Sequence, residues 1–362
     1  MATSSTYEEL CAAGEVYAQN RVYLIVTATK CLIAMAGSLS FSLVYYHQRL
    51  TSIFHPNARL ILKFHIAFIV CSIVGTLSGD GYTVVHFTVL RYFNRYNSCA
   101  VTPISPYFTL TRMLKLLGFD GTTFTATAWC LERIYATVFI ASYEQKKTGL
   151  GWLLCIVAAA ATIGTTTVRV ALGDYSNPTP VVMVTGTSYR FNMTVQDICA
   201  FLVFFNVFTF SVLFVLNRCR LKRTSRIECS LTSKYQVLNL VDQRRGYGRV
   251  QQIRENVRVT SLIFPLALLH WIAYFPIAIL MPIITKQGFS PIERVVIFTN
   301  TDWMIVYCIA LPLLLWWQNG VKRNAVATLV RNNLIGAQYA SERKEGKVET
   351  AKYFEMFNRM LA

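Results

Sequence analysis

Long apolar runs, each about twenty residues in length and most of them nearly free of charge, constrain this chain more than any other feature; Phe201-Leu-Val-Phe-Phe205 lies inside one of them. Such a run has no polar face to offer water. In lipid it can satisfy its backbone N–H and C=O groups only within itself, so each run predicts a membrane-crossing helix. Composition agrees. Of the 362 residues, 54% are apolar and 15% charged, against about 25% charged in an average soluble protein, and the mean hydropathy is +0.41. Seven crossings use about 150 to 180 residues, which leaves room for loops and tails and for no large extramembrane domain.

The expected architecture is all-α, a seven-transmembrane helix bundle with spans at about Val22–Tyr46, Leu60–Phe87, Tyr107–Ile140, Leu150–Leu172, Ile198–Leu216, Thr260–Ile284 and Val295–Trp317. Gly75, Gly79 and Gly81 predict a bend in the second span, and Pro265, Pro276 and Pro282 interrupt the sixth. The third is long and polar in one half. The fourth is rich in Ala and Thr, a composition suited to close helix packing.

A formal net charge of +17 raises the question of nucleic acid, and the placement of the basic residues answers it. Arg218, Arg220, Lys222, Arg223, Arg244, Arg245, Arg249, Arg254 and Arg258 crowd the connection between spans five and six, and Lys322, Arg323, Arg331, Arg343, Lys344 and Lys347 follow span seven. Alternate connections are poor in them, with Arg91 and Arg95, then Arg190, then Lys286 and Arg294. The pattern predicts an extracellular N-terminus at 1–21 and a cytosolic tail at 318–362. Basic charge here orients the protein. It also attracts anionic inner-leaflet lipid, by about 1 kcal/mol per residue near the surface. Glu8, Glu9 and Glu15 make the N-terminus acidic, with no basic n-region, so the first apolar run is expected to act as signal anchor. Within the tail, Val321, Ala325, Leu329 and Ile335 recur at near-helical spacing beside Lys322, Arg323 and Arg331, which predicts an amphipathic helix on the inner leaflet.

Two features belong to the predicted outer face. Asn192-Met-Thr194 is a glycosylation sequon in the expected loop before span five. Cys11, Cys99 and Cys199 fall outside or at the outer rim, where thiols can oxidise. Cys99 can pair with Cys199 or with Cys11, and all three can also stay reduced; spacing does not choose. The ten cysteines contain no CxxC pair, so no zinc site is expected.

Glu132-Arg133 sits at the inner end of span three. An ionised pair at that depth is costly unless paired or near the headgroups. The two side chains can neutralise one another while the bundle is closed, and separation of the helices would free Arg133 for an inserted partner, so the pair is a two-state element that a ligand can bias. The bland alternative is an interfacial pair that snorkels to the headgroups. A ligand cavity is expected among spans two, three, five, six and seven. Its candidate lining is Arg112, Lys115, Asp120, Thr123, Phe201, Phe205, Tyr274 and Asp302, polar or aromatic residues in the outer halves of the spans.

An acidic-Arg dipeptide closing the third of seven spans resembles the signature of G-protein-coupled receptors. A wider set of residues is similar to nematode serpentine chemoreceptors of the Sra superfamily, most like the Srab class, with Sre and Srb as neighbours. The residues that carry it are Cys11-Ala-Ala, Phe54-His-Pro-Asn57, His65, Cys99 with Pro103, Arg112, Gly118 and Leu131-Glu-Arg-Ile-Tyr-Ala-Thr137 ending in Ser142-Tyr-Glu144. Leu231-Thr-Ser-Lys-Tyr-Gln236 and Ile253-Arg-Glu-Asn-Val-Arg258 extend it into span six. The chain departs from the family pattern at Val237 to about Gln251, which separates blocks that the family runs together. It also lacks Asn-Pro-x-x-Tyr in span seven, where Thr299-Asn-Thr-Asp302 and Tyr307 stand instead, and the Cys-Trp-x-Pro spacing in span six.

The resemblance implies a G-protein-coupled chemoreceptor in the plasma membrane of sensory-neuron cilia. It would bind a small odorant or pheromone-like ligand from outside and engage a heterotrimeric G protein, with Arg220, Arg223, Arg254, Arg258 and Lys322 as candidates facing that partner. No cofactor or catalytic group is expected: HExxH, a Walker loop and a nucleophile elbow are all missing from the sequence. A transporter or channel for a small solute is the competing reading. Transporters tend to show two matching halves with broken helices, and the sequence has no convincing halves.

Overall fold

The computed structural model of the chain describes residues 19–47, 55–92, 105–139, 143, 148–171, 189–234, 253, 256–257, 259–261, 263–276, 279–280, 297 and 302–317. Regular structure among them is entirely helical. Helix α1 is Arg21–His47, α2 Pro56–Gly75, α3 Gly81–Tyr92, α4 Ser105–Val138, α5 Gly149–Ala171 and α6 Tyr189–Lys234. A π-helical turn, Thr76–Asp80, joins α2 to α3. Helix α7 is Val259–Pro276, and α8, Met304–Trp317, opens with a 3-10 turn at Met304–Val306. The chain divides into two compact units, Met1–Leu313 and Leu314–Ala362. Of the second, residues 314–317 are described, as the last turn of α8.

The first helices start on local chemistry. Asn20 Oδ1 accepts from the Tyr23 N–H at 3.1 Å, capping α1. His55 caps α2, with its Nδ1 accepting from Asn57 N–H at 3.4 Å, and Pro56 occupies the first helical position, where no N–H is needed. Inside the helices, hydroxyls bond back to the carbonyl four residues earlier: Thr27 to Tyr23 at 2.7 Å, Thr162 to Ala158 at 2.7 Å and Ser211 to Val207 at 2.7 Å. That habit lets a Thr or Ser sit in hydrocarbon without an unpaired donor.

Helix α4 packs against α2, α5 and α6, and is the central element of the first unit. Its approach to α2 is close enough to require glycine. A Cβ on Gly75 would lie 2.8 Å from the Thr111 carbonyl oxygen, and one on Gly118 would run into the Ser72 backbone. Asn57 ties α2 to α5 by accepting from Gly151 N–H at 3.1 Å. Large apolar side chains point outward: Ile25, Leu32 and Leu39 on α1, Trp152, Leu153 and Ile156 on α5, and Phe204 and Phe208 on α6. The belt suits lipid. Among the described residues, five helical stretches are long and apolar enough to cross a membrane by length and composition. Helix α4 is not among them, because Arg112, Lys115, Asp120, Glu132 and Arg133 interrupt its apolar windows.

The second expected span carries its irregularity at the glycines, as the π turn. The fifth differs most. Helix α6 has 46 residues, about 70 Å at 1.5 Å per residue, against about 30 Å of hydrocarbon. Asn192 and the residues from Arg218 to Lys234, read as loop from the sequence, are therefore helical. Hydropathy marks where a helix leaves lipid, not where it stops. The 237–251 insert and the tail helix lie outside the described residues. Replacing Gly118 with Leu is expected to destabilise the bundle by about 1–3 kcal/mol through overpacking, read as a lower melting temperature of purified protein in detergent, whereas Gly164→Leu, where a Cβ meets nothing within 4 Å, should have little effect.

Candidate functional site

Helix α4 carries charge near both of its ends. Seventeen residues separate Lys115 from Glu132, or about 25 Å of helix. Toward one end, Lys115 Nζ lies 3.0 Å from Asp80 Oδ2 and 3.5 Å from Asp302 Oδ2. Lys30 Nζ of α1 reaches the same Asp302 oxygen at 3.9 Å and sits 6.0 Å from the centre of the Trp303 ring. Asp302 is held by its other oxygen, which accepts from Met304 N–H at 3.4 Å. Two lysines and two aspartates thus balance, drawn from α1, the π turn, α4 and the residue two before α8. Asp80 is there because the π turn re-aims the backbone by one residue at Thr76–Asp80. Lys115 and Asp80 remain partly open, with side chains 28% and 24% exposed, whereas Lys30 is sealed at 1%.

A second ion pair lies one to two turns along α4. Arg169 Nη1 of α5 meets Asp120 Oδ2 at 3.1 Å, and Nη2 donates to Oδ1 at 3.4 Å. Thr165 Oγ1 donates to Asp120 Oδ2 at 3.3 Å, and the Cys199 thiol to Oδ1 at 3.9 Å. Tyr274 closes over this site, its hydroxyl donating to the Gln196 carbonyl at 3.1 Å and its ring 5.1 Å from that of Phe119.

Toward the other end, Arg133 and Glu132 are 1% and 0% exposed. The guanidinium forks onto the carboxylate through Nε and Nη2. The Tyr143 hydroxyl donates to Glu132 Oε1 and accepts from Arg133 Nη2 at 3.0 Å. Arg133 Nη1 donates to Asn256 Oδ1 at 3.4 Å, and Asn256 Nδ2 donates to the Ala136 carbonyl at 3.1 Å. His55, ahead of α2, packs its ring 4.3 Å from that of Tyr143. Burial pushes the Tyr143 phenol up, with Glu132 adding to the shift and Arg133 opposing it, so the phenol keeps the proton it donates. Burial pulls the His55 imidazole down, Glu132 opposing and Arg133 adding, so the ring on Tyr143 is neutral at neutral pH. From α6, Arg220 Nη1 donates to the Thr137 carbonyl at 2.7 Å, and Asn217 Nδ2 is 3.4 Å from both Thr137 Oγ1 and Thr260 Oγ1. The end of α4 is tied in this way to α2, α6 and α7.

Between these groups lies a cavity with room for about one water molecule. Its wall includes His65, Trp129, Asn206, Phe210, His270 and Tyr307. Thr125 donates to the Gly121 carbonyl, so His65 Nδ1 donates to Thr125 Oγ1 at 2.8 Å and Nε2 accepts from the Tyr307 hydroxyl at 3.1 Å.

The sequence candidates divide accordingly. Lys115 and Asp302 share one cluster, Asp120 and Tyr274 a second site, and Thr123 bonds His270 at 3.3 Å beside the cavity. Arg112 is half-buried on α4. Phe201 is 67% exposed and points away from the bundle, stacked on half-buried Phe205, so neither the charged clusters nor the cavity includes it. Cys199 is a buried free thiol inside the bundle. Cys11, Cys99, Arg254, Arg258 and Lys322 lie outside the described residues. Arg223 is exposed on α6, and Asn192 lies in that helix's first turns. Lys30, Asp80, Arg169, Tyr143 and Asn256 escaped sequence reasoning. Charge inside an apolar run flags Lys30, Asp80 and Arg169, but partners come only from packing.

Asp302→Ala removes the carboxylate that buried Lys30 meets, and breaking such a pair costs about 3–5 kcal/mol. A marked fall in melting temperature is expected, with Lys30→Met/Asp302→Leu recovering most of it; a double variant as unstable as the single would deny the pairing.

No curated protein matches this chain. The model of the serpentine seven-transmembrane G-protein-coupled receptor class ab chemoreceptors matches residues 17–362. That span takes in the charged helix α4, the Glu132–Arg133 pair and all the apolar helices. The chain belongs to the Srab family of serpentine chemoreceptors, multi-pass membrane proteins of the G-protein-coupled receptor class.

Proposed function

We propose that this receptor takes its ligand at the Lys115 end of α4 and passes the signal to a heterotrimeric G protein at the Arg133 end. The single observation that carries the reading is that one helix links a partly exposed charge cluster to a sealed ion pair about 25 Å away. In the proposed orientation the N-terminus is extracellular and the basic segment around Arg218–Arg258 faces the cytosol of the plasma membrane. By the resemblance, the membrane is that of sensory cilia.

A ligand with a charged or strongly polar group would compete with Asp80 and Asp302 for Lys115, or with Lys115 for the carboxylates. Since Asp302 precedes α8, Asp80 belongs to the π turn and Lys30 to α1, such competition changes how three other elements meet α4. At the far end, parting α7 from α4 removes Asn256 from Arg133, and the guanidinium then has donors for an inserted partner. A ligand that binds the parted arrangement more tightly shifts the population toward it. Arg220, Arg223, Arg254, Arg258 and Lys322 are the residues proposed to meet the G protein.

The test is G-protein activation in cells expressing the chain, against a panel of odorants and secreted metabolites. Arg133→Ala is expected to reduce the evoked response at least tenfold without loss of surface protein. Tyr143→Phe, which removes the hydroxyl shared by Glu132 and Arg133, should raise basal signalling severalfold. Lys115→Met should shift the ligand concentration needed while sparing that basal signal. An undiminished response in Arg133→Ala would sink the switch, and protease cleavage of the Arg218–Arg258 segment on intact cells would invert the topology.

A further inference from the structure

The cavity between the two charged ends is lined by two residues that each hold a buried polar atom with no hydrogen-bond partner among the described residues. Asn206 of α6 and His270 of α7 are 3% and 2% exposed, and both line it. Among the described residues, Asn206 Oδ1 and His270 Nδ1 have no hydrogen-bond partner. Buried polar atoms are rarely left so, because each costs the desolvation it does not recover.

The surrounding bonds fix what these two atoms can do. Thr127 donates its hydroxyl proton to the Thr123 carbonyl at 3.0 Å, so its oxygen accepts from Asn206 Nδ2 at 3.1 Å. The amide is thereby oriented, and Oδ1 is left as an acceptor. Likewise Thr123 donates to the Phe119 carbonyl at 3.3 Å, so its oxygen accepts from His270 Nε2 at 3.3 Å. In a neutral ring that assigns the proton to Nε2 and leaves Nδ1 as a second acceptor. Two acceptors, on two different helices, border a space of about one water. The walls from Trp129, Phe210 and Tyr307 offer no carboxylate, which disfavours a cation there.

We propose that this cavity binds one neutral, water-sized group with two polar hydrogens, which donates to Asn206 Oδ1 and to His270 Nδ1 and so clips α6 to α7. Water carries that chemistry, and so does the terminal –NH2 of a small ligand reaching in. The clip is separate from the charged ligand site and from the Arg133 lock, and stands whether or not those are used for signalling. It joins Asn206 to His270 midway along the bundle, apart from the direct Asn217–Thr260 contact that the same two helices make near the Arg133 end.

Full-length protein in lipid nanodiscs tests it in two ways. A double-mutant cycle with Asn206→Leu and His270→Phe reads melting temperature. Because either change breaks the same bridge, the double variant is expected to shift less than the sum of the two singles. Radiolytic hydroxyl labelling in heavy-oxygen water reads the occupant. Water in the clip should label buried Phe210 and Tyr307 quickly, and Asn206→Leu should slow that labelling severalfold. Coupled shifts with fast labelling support the proposal with water in the site. Coupled shifts without labelling support it with a bound donor other than water. Additive shifts overturn it whatever the labelling shows. If neither variant folds, Asn206→Ala and His270→Ala replace them in the same cycle, and additive shifts there overturn the proposal.

Discussion

Charge buried in a helix that crosses lipid must be met by charge or hydrogen bonds from another helix, and the arrangement of this bundle follows from that demand on α4. Removing an ion from water is expensive, and lipid supplies nothing in return. Lys115 is therefore met by the π turn and by the residue two before α8, Asp120 by α5, and Glu132 with Arg133 by Tyr143 and Asn256. Each of these contacts fixes a neighbour. Apolar packing alone would leave the helices free to rotate against one another in a solvent as apolar as they are. The ion pairs remove that freedom.

The same contacts explain why α4 can both hold the bundle and report on it. It approaches α2 at glycine positions, so the two helices form a stiff pair. Its links to α6 and α7 at the Arg133 end run through side chains, two amides and an arginine: Asn217 and Asn256 at 3.4 Å and Arg220 at 2.7 Å. Such bonds exchange more readily than interlocked backbone. The division between a fixed side and a releasable side of one helix is what a two-state element needs.

Much of this could be read from the residues alone. The apolar runs fall within helices α1, α2 with α3, α5 and α6, and the glycines at 75, 79 and 81 mark the irregular turn. Lys115, Asp120, Glu132, Arg133 and Asp302 stood out because ionisable groups in apolar runs are costly. What escaped was pairing. Lys30 and Asp302 are 272 residues apart, and no local pattern says they meet. Tyr143 lies just past a helix end and looks like loop. Which way Phe201 faces is equally illegible, since an aromatic in an apolar run gives no sign of its direction, and the depth of Cys199 is illegible because rim and interior differ by only a turn or two. The length of α6 escaped because a polar helix and a polar loop have similar composition.

That length has its own consequence. A rod of 46 residues spans about 70 Å at 1.5 Å per residue, and its middle is gripped where Asn206 and Asn217 touch α4. It therefore behaves as a lever with a fulcrum inside the membrane. A tilt of about 5° about Asn206 sweeps the tip at Lys234, about 42 Å away at 1.5 Å per residue, through about 4 Å. Sub-ångström rearrangements around Cys199 and Asp120 are in this way geared up to displacements the size of a side chain at Lys234.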